Sequence, residues 1–301
     1  MVNFYNKCPV LFEHKSNFNL FKNLLEKGKF PKVISLSGMK GIGKFTLIYH
    51  VLISYLDKSN YDLNDNKIND FSNLSKYTGN LIYLGTKNNK HLSIDDIRDL
   101  KKDLQKTVIN DLPRFILIDD VELLNISCIN SLLKLIEEPS KINNFILIDN
   151  SNGKMHETLK SRCLGFKIYL NNSDRLKIIR SLVEYYNINS RIDVDTFNIS
   201  PGRFINFNDI LDKNDLDLGQ NLVDVLKKLF QLYKKNKDKS FIDLSIYVVE
   251  RHMSQTIINE NNDLEKIQFI KMKTIKDINN LVKYNLNNEL VLNSISSRMT
   301  Q

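Results

Sequence analysis

The stretch Gly38-Met39-Lys40-Gly41-Ile42-Gly43-Lys44 constrains this chain more than any other. It follows a β-prone run, Val33-Ile34-Ser35-Leu36-Ser37, and precedes a helical pattern through Leu47, Ile48, Val51, Leu52 and Tyr55. Strand, glycine-rich loop and helix in that order make a phosphate cradle. Glycines let backbone N–H groups converge on phosphate oxygens, and the helix N-terminus adds a favourable dipole. Lys44 would neutralise the outer phosphates, so Gly38, Gly41, Gly43, Lys44 and Thr46 are the loop's candidate nucleotide contacts. One position departs from the motif. Phe45 stands where a Ser or Thr hydroxyl binds Mg²⁺, and Thr46 comes one residue late, which turns its side chain by about 100° on a helix. Any nucleotide bound here is expected to be held weakly, with Mg²⁺-dependent hydrolysis compromised.

A second acidic element supports the same reading. Phe115-Ile116-Leu117-Ile118, bounded by Pro113 and by Asp119-Asp120, has the unbroken apolar run of a strand buried on both faces. An aspartate at the end of such a strand beside a phosphate loop orients Mg²⁺. The next position usually carries a glutamate that activates water. Asp120 keeps the charge but loses a methylene, roughly 1.5 Å of reach. The plainer reading is that Asp119 and Asp120 cap the following helix.

The remaining pattern divides the chain. Leu81–Leu84 and Phe145–Ile148 are further apolar runs, and 57–76 reads as a polar loop or weak helix. Ile94, Ile97, Leu100 and Leu104 recur at helical spacing after Ser93, with Asp95 and Asp96 at the helix start. Strands alternating with helices predict a parallel α/β sheet over the first ~170 residues. From Ser173 the spacing is helical throughout, with a strong stripe at Leu222, Val225, Leu226, Leu229, Phe230 and Tyr233, and polar breaks at 187–191, 212–219 and 259–263.

Composition adds exclusions. With 42% apolar and 26% charged residues, the 301-residue chain is globular in type. The balance of 43 Lys+Arg against 35 Asp+Glu, net +8, suits a polyanion without identifying one. Cys8, Cys128 and Cys163 are too scattered for a disulfide framework, which fits a reduced cytoplasmic setting. Met1–Pro9 lacks a signal-peptide core, and no apolar run approaches the ~18 residues of a membrane span. No membrane association is expected.

Further strings carry a family resemblance. Ser131-Leu132-Leu133-Lys134-Leu135-Ile136-Glu137-Glu138-Pro139 resembles the Ala-Leu-Leu-Lys-x-Leu-Glu-Glu-Pro helix of bacterial clamp-loader subunits. Thr158-Leu159-Lys160-Ser161-Arg162-Cys163 is similar to their Thr-Ile-x-Ser-Arg-Cys segment, and Ile94-Asp95-Asp96-Ile97-Arg98 to the helix before their acidic strand. Ser200-Pro201-Gly202-Arg203 falls where their lid carries sensor 2, with Gly202 at the arginine's place and Arg203 one residue late. Order and spacing agree over about residues 10–205, and the tail ending near Tyr284-Asn285-Leu286 resembles their collar. Within the group, the loop and the Asp-Asp pair are most similar to the delta-prime class of bacterial DNA polymerase III.

The resemblance implies an AAA+ P-loop domain at 1–170, a helical lid at 171–212 and a helical collar, used for oligomerisation, at 213–301. Such loaders are five-membered rings with ATP between neighbours. Arg162 then acts in trans as an arginine finger on the next subunit's ATP; the local alternative is a salt bridge beside a buried Cys163. Asn150 takes the sensor 1 position. The implied partners are the gamma/tau and delta subunits, the sliding clamp and primer–template DNA, with DNA-directed DNA polymerase activity belonging to the holoenzyme. The family's four-cysteine zinc module would fall in 57–80, which contains no cysteine, so no zinc or other metal is expected. Two other classes remain open: an active gamma/tau-like ATPase, and an unrelated P-loop kinase. His14 reads as a surface or packing residue, and Lys234, Lys235, Lys237 and Lys239 as a helix C-terminal cap, with contact to DNA as the alternative.

Overall fold

The computed structural model describes residues 8–70, 79–85, 92–106, 112–150, 155–194, 198–259 and 264–299. They form two compact units, one of residues 1–182 with 200–202, the other of 183–199 with 203–301.

The first unit runs α1 (Lys15–Glu26), β1 (Val33–Ser37), α2 (Lys44–Leu56), β2 (Tyr61–Asp62), β3 (Lys67–Ile68), β4 (Leu81–Leu84), α3 (Ile94–Gln105), β5 (Arg114–Ile118), α4 (Ile126–Ile136), β6 (Asn143–Asp149), α5 (Glu157–Lys160) and β7 (Leu164–Lys167), then enters α6 (Asn172–Tyr186). Five strands form one parallel sheet in the order β4-β5-β6-β1-β7. β5 shows why its sequence is continuously apolar. Phe115 and Leu117 pack on one face with Phe21, Leu47 and Leu52, while Ile116 and Ile118 pack on the other with Ile97, Leu100 and Leu132. Each face is thus covered by helices, and each fully buried side chain of this kind contributes about 2 kcal/mol.

Local chemistry sets the element ends. Ser93 and Asp96 exchange side-chain and backbone bonds in a capping box that starts α3. Arg114, 2% exposed, donates to the carbonyls of Gly79, Leu104 and Lys106, so a buried cation closes the C-terminus of α3. α4 is capped by Asn125, whose side chain accepts from the Cys128 N–H at 2.9 Å. Asp119 and Asp120 therefore do not cap that helix, and the plainer reading of the pair falls.

The segment expected to be a loop or weak helix is something else. After a 3-10 turn at Lys58–Asn60, β2 and β3 pair as a small antiparallel hairpin, closed through Asn66 at φ 48°. Tyr61 stacks on Phe18 at 5.6 Å, and Ile68 is 1% exposed, so two apolar anchors seat an otherwise polar ribbon. Residues 71–76 of that stretch lie outside the described residues.

The second unit is helical. It takes up α7 (Pro201–Lys213) from Arg203 onward and continues with α8 (Leu222–Asn236), α9 (Ser240–Asn259), α10 (Leu264–Tyr284) and α11 (Asn288–Met299). α8 packs on α9, α9 on α10, α10 on α11 and α11 back on α8, a closed four-helix arrangement. Leu222, Val225, Leu226, Leu229 and Phe230 are the buried stripe of α8. Lys234 and Lys235 occupy its last turn, and the Lys237 ammonium lies 5.7 Å from the Tyr233 ring centre. The break at 187–191 follows α6 and that at 212–219 follows the body of α7; residues 260–263 lie outside the described residues. Among the described residues no helix is long and apolar enough to cross a membrane.

Candidate functional site

The parallel order fixes where the chemistry collects. β6 lies between β1 and β5, so the end of β1, where the glycine loop begins, and the end of β5, where Asp119 follows, face one edge with Asp149 between them. Ser37 is in register with Asp149. Gly38 permits the sharp exit from β1: a Cβ there would lie 2.5 Å from the Ile168 carbonyl oxygen. Gly43, at φ 96°, is the N-cap of α2 and hands the chain directly to Lys44.

Lys44 is 3% exposed and turns back on its own loop. Its ammonium donates to the carbonyls of Gly38 at 2.8 Å and Met39 at 2.9 Å. Burial lowers its pKa to about 8, against the opposing pull of Asp119, Glu122, Asp149 and Asp120. Thr46 is half-buried on the first turn of α2.

The acidic corner is closed by protein donors. Asp119 accepts from the Asp120 N–H at 2.8 Å and from Asn150 Nδ2 at 2.9 Å, with the Tyr83 phenol close by. Burial raises its pKa to about 6, with the Asp120 charge adding to the effect and the donated bonds and Lys44 opposing it. Burial likewise holds the Tyr83 phenol above its ordinary range, so it stays a donor. Asp120 sits at φ 53°, the left-handed region that aspartate tolerates better than most residues. Asn150 Nδ2 also donates to Asp120 at 2.9 Å, and its backbone N–H donates to Glu122 at 3.1 Å.

Phe45 completes the corner. It stacks on Tyr49 at 5.7 Å and meets Tyr83 edge-on at 5.1 Å, so an aromatic group takes the place where the motif needs a hydroxyl ligand. Two hydrogens are directed at Asp119 Oδ1, and Phe45 supplies no hydroxyl to share a cation with that carboxylate. The residues present do not fit Mg²⁺ in the position the motif provides. Among the described residues no cluster of His, Cys, Asp and Glu has metal-holding geometry elsewhere either.

Two segments brace the loop from outside. His14, 8% exposed at φ 57°, bonds through Nε2 to the Ile42 carbonyl at 2.7 Å, and burial lowers its pKa. It is a packing residue, buried rather than on the surface. Ser200 Oγ donates to the Lys40 carbonyl and the Gly202 N–H to the Gly41 carbonyl, both at 2.8 Å. A Cβ on Gly202 would meet Gly41 at 3.0 Å. Arg203 instead pairs loosely with Asp243 at 3.9 Å.

Arg162 follows the short helix α5. Its Nε donates to Glu137 at 2.7 Å and its Nη1 to the Thr158 carbonyl at 3.0 Å and the Ser161 hydroxyl at 3.4 Å. The side chain is still 40% exposed. Cys163 donates to the Leu159 carbonyl, and burial pushes its thiol up to about 11.

The structure thus brings Gly38, Gly41, Gly43, Lys44, Asp119, Asp120 and Asn150 to one edge of the sheet. Sequence reasoning passed over Tyr83, Glu122, Asp149 and Glu137. The available signals were a polar-tipped aromatic inside the run Leu81–Leu84 and two acids at the C-terminus of α4, where the helix dipole disfavours them.

Comparison with known proteins gives the family. The family model described as "DNA polymerase III, delta subunit" matches residues 13–172, more than half of the chain. Over 82 residues the chain is 37% identical to the DNA polymerase III subunit delta' of Buchnera aphidicola subsp. Schizaphis graminum, covering 27% of this chain and 25% of that protein. It is 27% identical over 106 residues to the DNA polymerase III subunit gamma of Buchnera aphidicola subsp. Acyrthosiphon pisum, covering 35% and 28%. The matched stretch spans about a quarter of the length of these curated relatives. Among solved structures, a DNA polymerase III gamma subunit-related protein of Thermotoga maritima aligns over 92% of this chain and 96% of its own, with 16% identity and a TM-score of 0.49. With its P-loop α/β unit lying inside the matched residues, the chain belongs to the DNA polymerase III delta-subunit family of clamp-loader proteins.

Proposed function

We propose that this chain is a delta-prime-like subunit of the DNA polymerase III clamp-loader complex, a largely ATPase-impaired scaffold that donates Arg162 to a neighbouring subunit's ATP. One observation carries the reading: Phe45 stands at the metal-ligand position of its own site and packs edge-on against Tyr83. An ATPase needs that corner for Mg²⁺. ATP held by Gly38, Gly41, Gly43, Lys44 and Thr46 would have to draw Lys44 off two carbonyls, so binding in this chain is weak or absent. Asp120 and Asn150, committed to one another, are remnants of base and sensor. Arg162 retains what a finger needs, a planar permanent cation at the surface.

In this role the chain works in the cytoplasm, in a ring with gamma/tau and delta subunits. Residues 1–170 form its AAA+ domain, 171–212 the lid and 213–301 the collar. The ring opens the sliding clamp onto primer–template DNA, to which the net charge of +8 is suited. Polymerase chemistry belongs to the holoenzyme. The similarity to gamma subunits favours one second reading, an active gamma/tau-like ATPase.

Reconstitution with the partner subunits separates the two. Under the scaffold reading Arg162→Ala lowers DNA-stimulated ATPase by about 10³-fold, whereas Lys44→Ala leaves it unchanged. ATP hydrolysis by the chain alone, abolished by Lys44→Ala, would establish the motor reading instead.

A further inference from the structure

We infer that Glu137 is a positioning residue for the arginine finger: its carboxylate holds the Arg162 guanidinium by one edge and sets the direction in which the other edge faces. The inference rests on the finger reading of Arg162 and adds to it a residue in another segment of the chain. Glu137 is the C-cap of α4, its N–H bonded to the Leu133 carbonyl, and Glu138 and Pro139 follow. Acids at a helix C-terminus meet the negative end of the dipole, which costs about 0.3–1 kcal/mol each in an exposed setting. Local propensity therefore does not account for Glu137. Its partner does.

The Nε–H of Arg162 donates to Glu137 Oε1 at 2.7 Å, and Nη1 donates to the Thr158 carbonyl at 3.0 Å and to Ser161 Oγ at 3.4 Å. Nη2 takes no partner among the described residues, and the side chain is 40% exposed. A flexible cation gripped at Nε and Nη1 has lost most of its rotamer freedom, yet retains one nitrogen with two hydrogens for a phosphoryl oxygen. Thr158 and Ser161 lie on the segment that carries Arg162 itself, so they tie Nη1 only to its own local backbone. Glu137 arrives from α4, 25 positions earlier, and holds Nε from outside that segment. An exposed pair of this kind adds little to stability. Its effect is on direction, and a finger misdirected by an ångström forfeits a large part of its rate effect.

The test is steady-state ATPase of the reconstituted clamp-loader complex containing the full chain as wild type, Glu137→Ala, Glu137→Gln, Arg162→Ala and Arg162→Ala/Glu137→Ala. Glu137→Ala is expected to lower kcat about tenfold with KM, complex assembly and chain Tm unchanged. Glu137→Gln, which keeps an oxygen acceptor for Nε, should recover most of that loss, and the double variant should match Arg162→Ala. If Glu137→Ala leaves kcat within about twofold of wild type, or raises it, the carboxylate does not position the finger. A further loss on adding Glu137→Ala to Arg162→Ala also overturns the inference, since Glu137 would then act elsewhere. If Arg162→Ala itself changes nothing, the finger reading fails, and the positioning role falls with it.

Discussion

Lys44 is 3% exposed and donates both of its hydrogen bonds to carbonyls of its own loop, whereas Arg162, in the same α/β unit, is 40% exposed, held at Nε and Nη1 with Nη2 left to the surface. The two cations answer different demands. A group that has to meet a ligand in its own site must be easy to release. Here Lys44 is satisfied by the carbonyls of its own loop and Asp119 by Asn150, while Phe45 packs beside them against Tyr83. A group that must meet a ligand belonging to another chain has to be held and still face outward, as Arg162 is in the proposed role. Under that proposal the contrast teaches that loss of a catalytic site can leave a well-packed remnant, with chemistry retained only where it points away from the chain.

That contrast can be broken by experiment, beginning with the largest effect. Arg162→Lys keeps the charge and loses the planar fork; in the reconstituted complex it should cost about 10²-fold in ATPase rate. A lysine at full rate would show that charge alone suffices. At the other end, Phe45→Ala should destabilise the free chain by about 2 kcal/mol in urea unfolding, because it opens a gap between Tyr49 and Tyr83. An unchanged midpoint would mean that the aromatic corner is not packed.

The third effect is a pH dependence. The Asp119 carboxyl titrates at about 6 in the folded chain against 3.8 ordinarily. An acid with a raised folded pKa favours folding while protonated, so its contribution is full below about pH 4 and is lost as the pH rises to about 6. Relative to Asp119→Asn, the wild type should therefore lose roughly 1–2 kcal/mol of stability between pH 4 and pH 7, a figure reduced for the solvent contact this half-buried group retains. A constant difference across that range would refute the burial of its charge. The smallest effects come last. Millimolar ATP with Mg²⁺ should move the Tm of the free chain by less than about 1 °C, and EDTA should not alter that. Arg162→Ala should leave its stability within about 0.5 kcal/mol of wild type.

Much of the fold was legible in the sequence because its signals are local. The unbroken run at Phe115–Ile118 and the stripe from Leu222 to Phe230 state their burial through period alone. The β2–β3 hairpin was not legible, since two-residue strands carry no period, and Asn-rich composition masks its turn. The phosphate loop and Asp119 were readable as motifs, but the approach of Tyr83 to Phe45 and Asp119 depends on how β4 aligns with β5, a non-local register. Glu137 and Arg162 were each read in a separate string. What joins them is the return of the chain past α4, which neither string encodes.

The strand order has a consequence for how the chain is made. β1 pairs with β6 from Val33 to Phe145 and with β7 from Ile34 to Leu164, both partners more than a hundred residues downstream. Such pairings close long loops and form late. On the ribosome, Val33–Ser37 has both edges open until Asn143–Asp149 has emerged and one edge open until Leu164–Lys167 has, so a chain interrupted before residue 143 has no strand to pair with it. The strand that carries the glycine loop is among the last parts of the α/β unit to become structure.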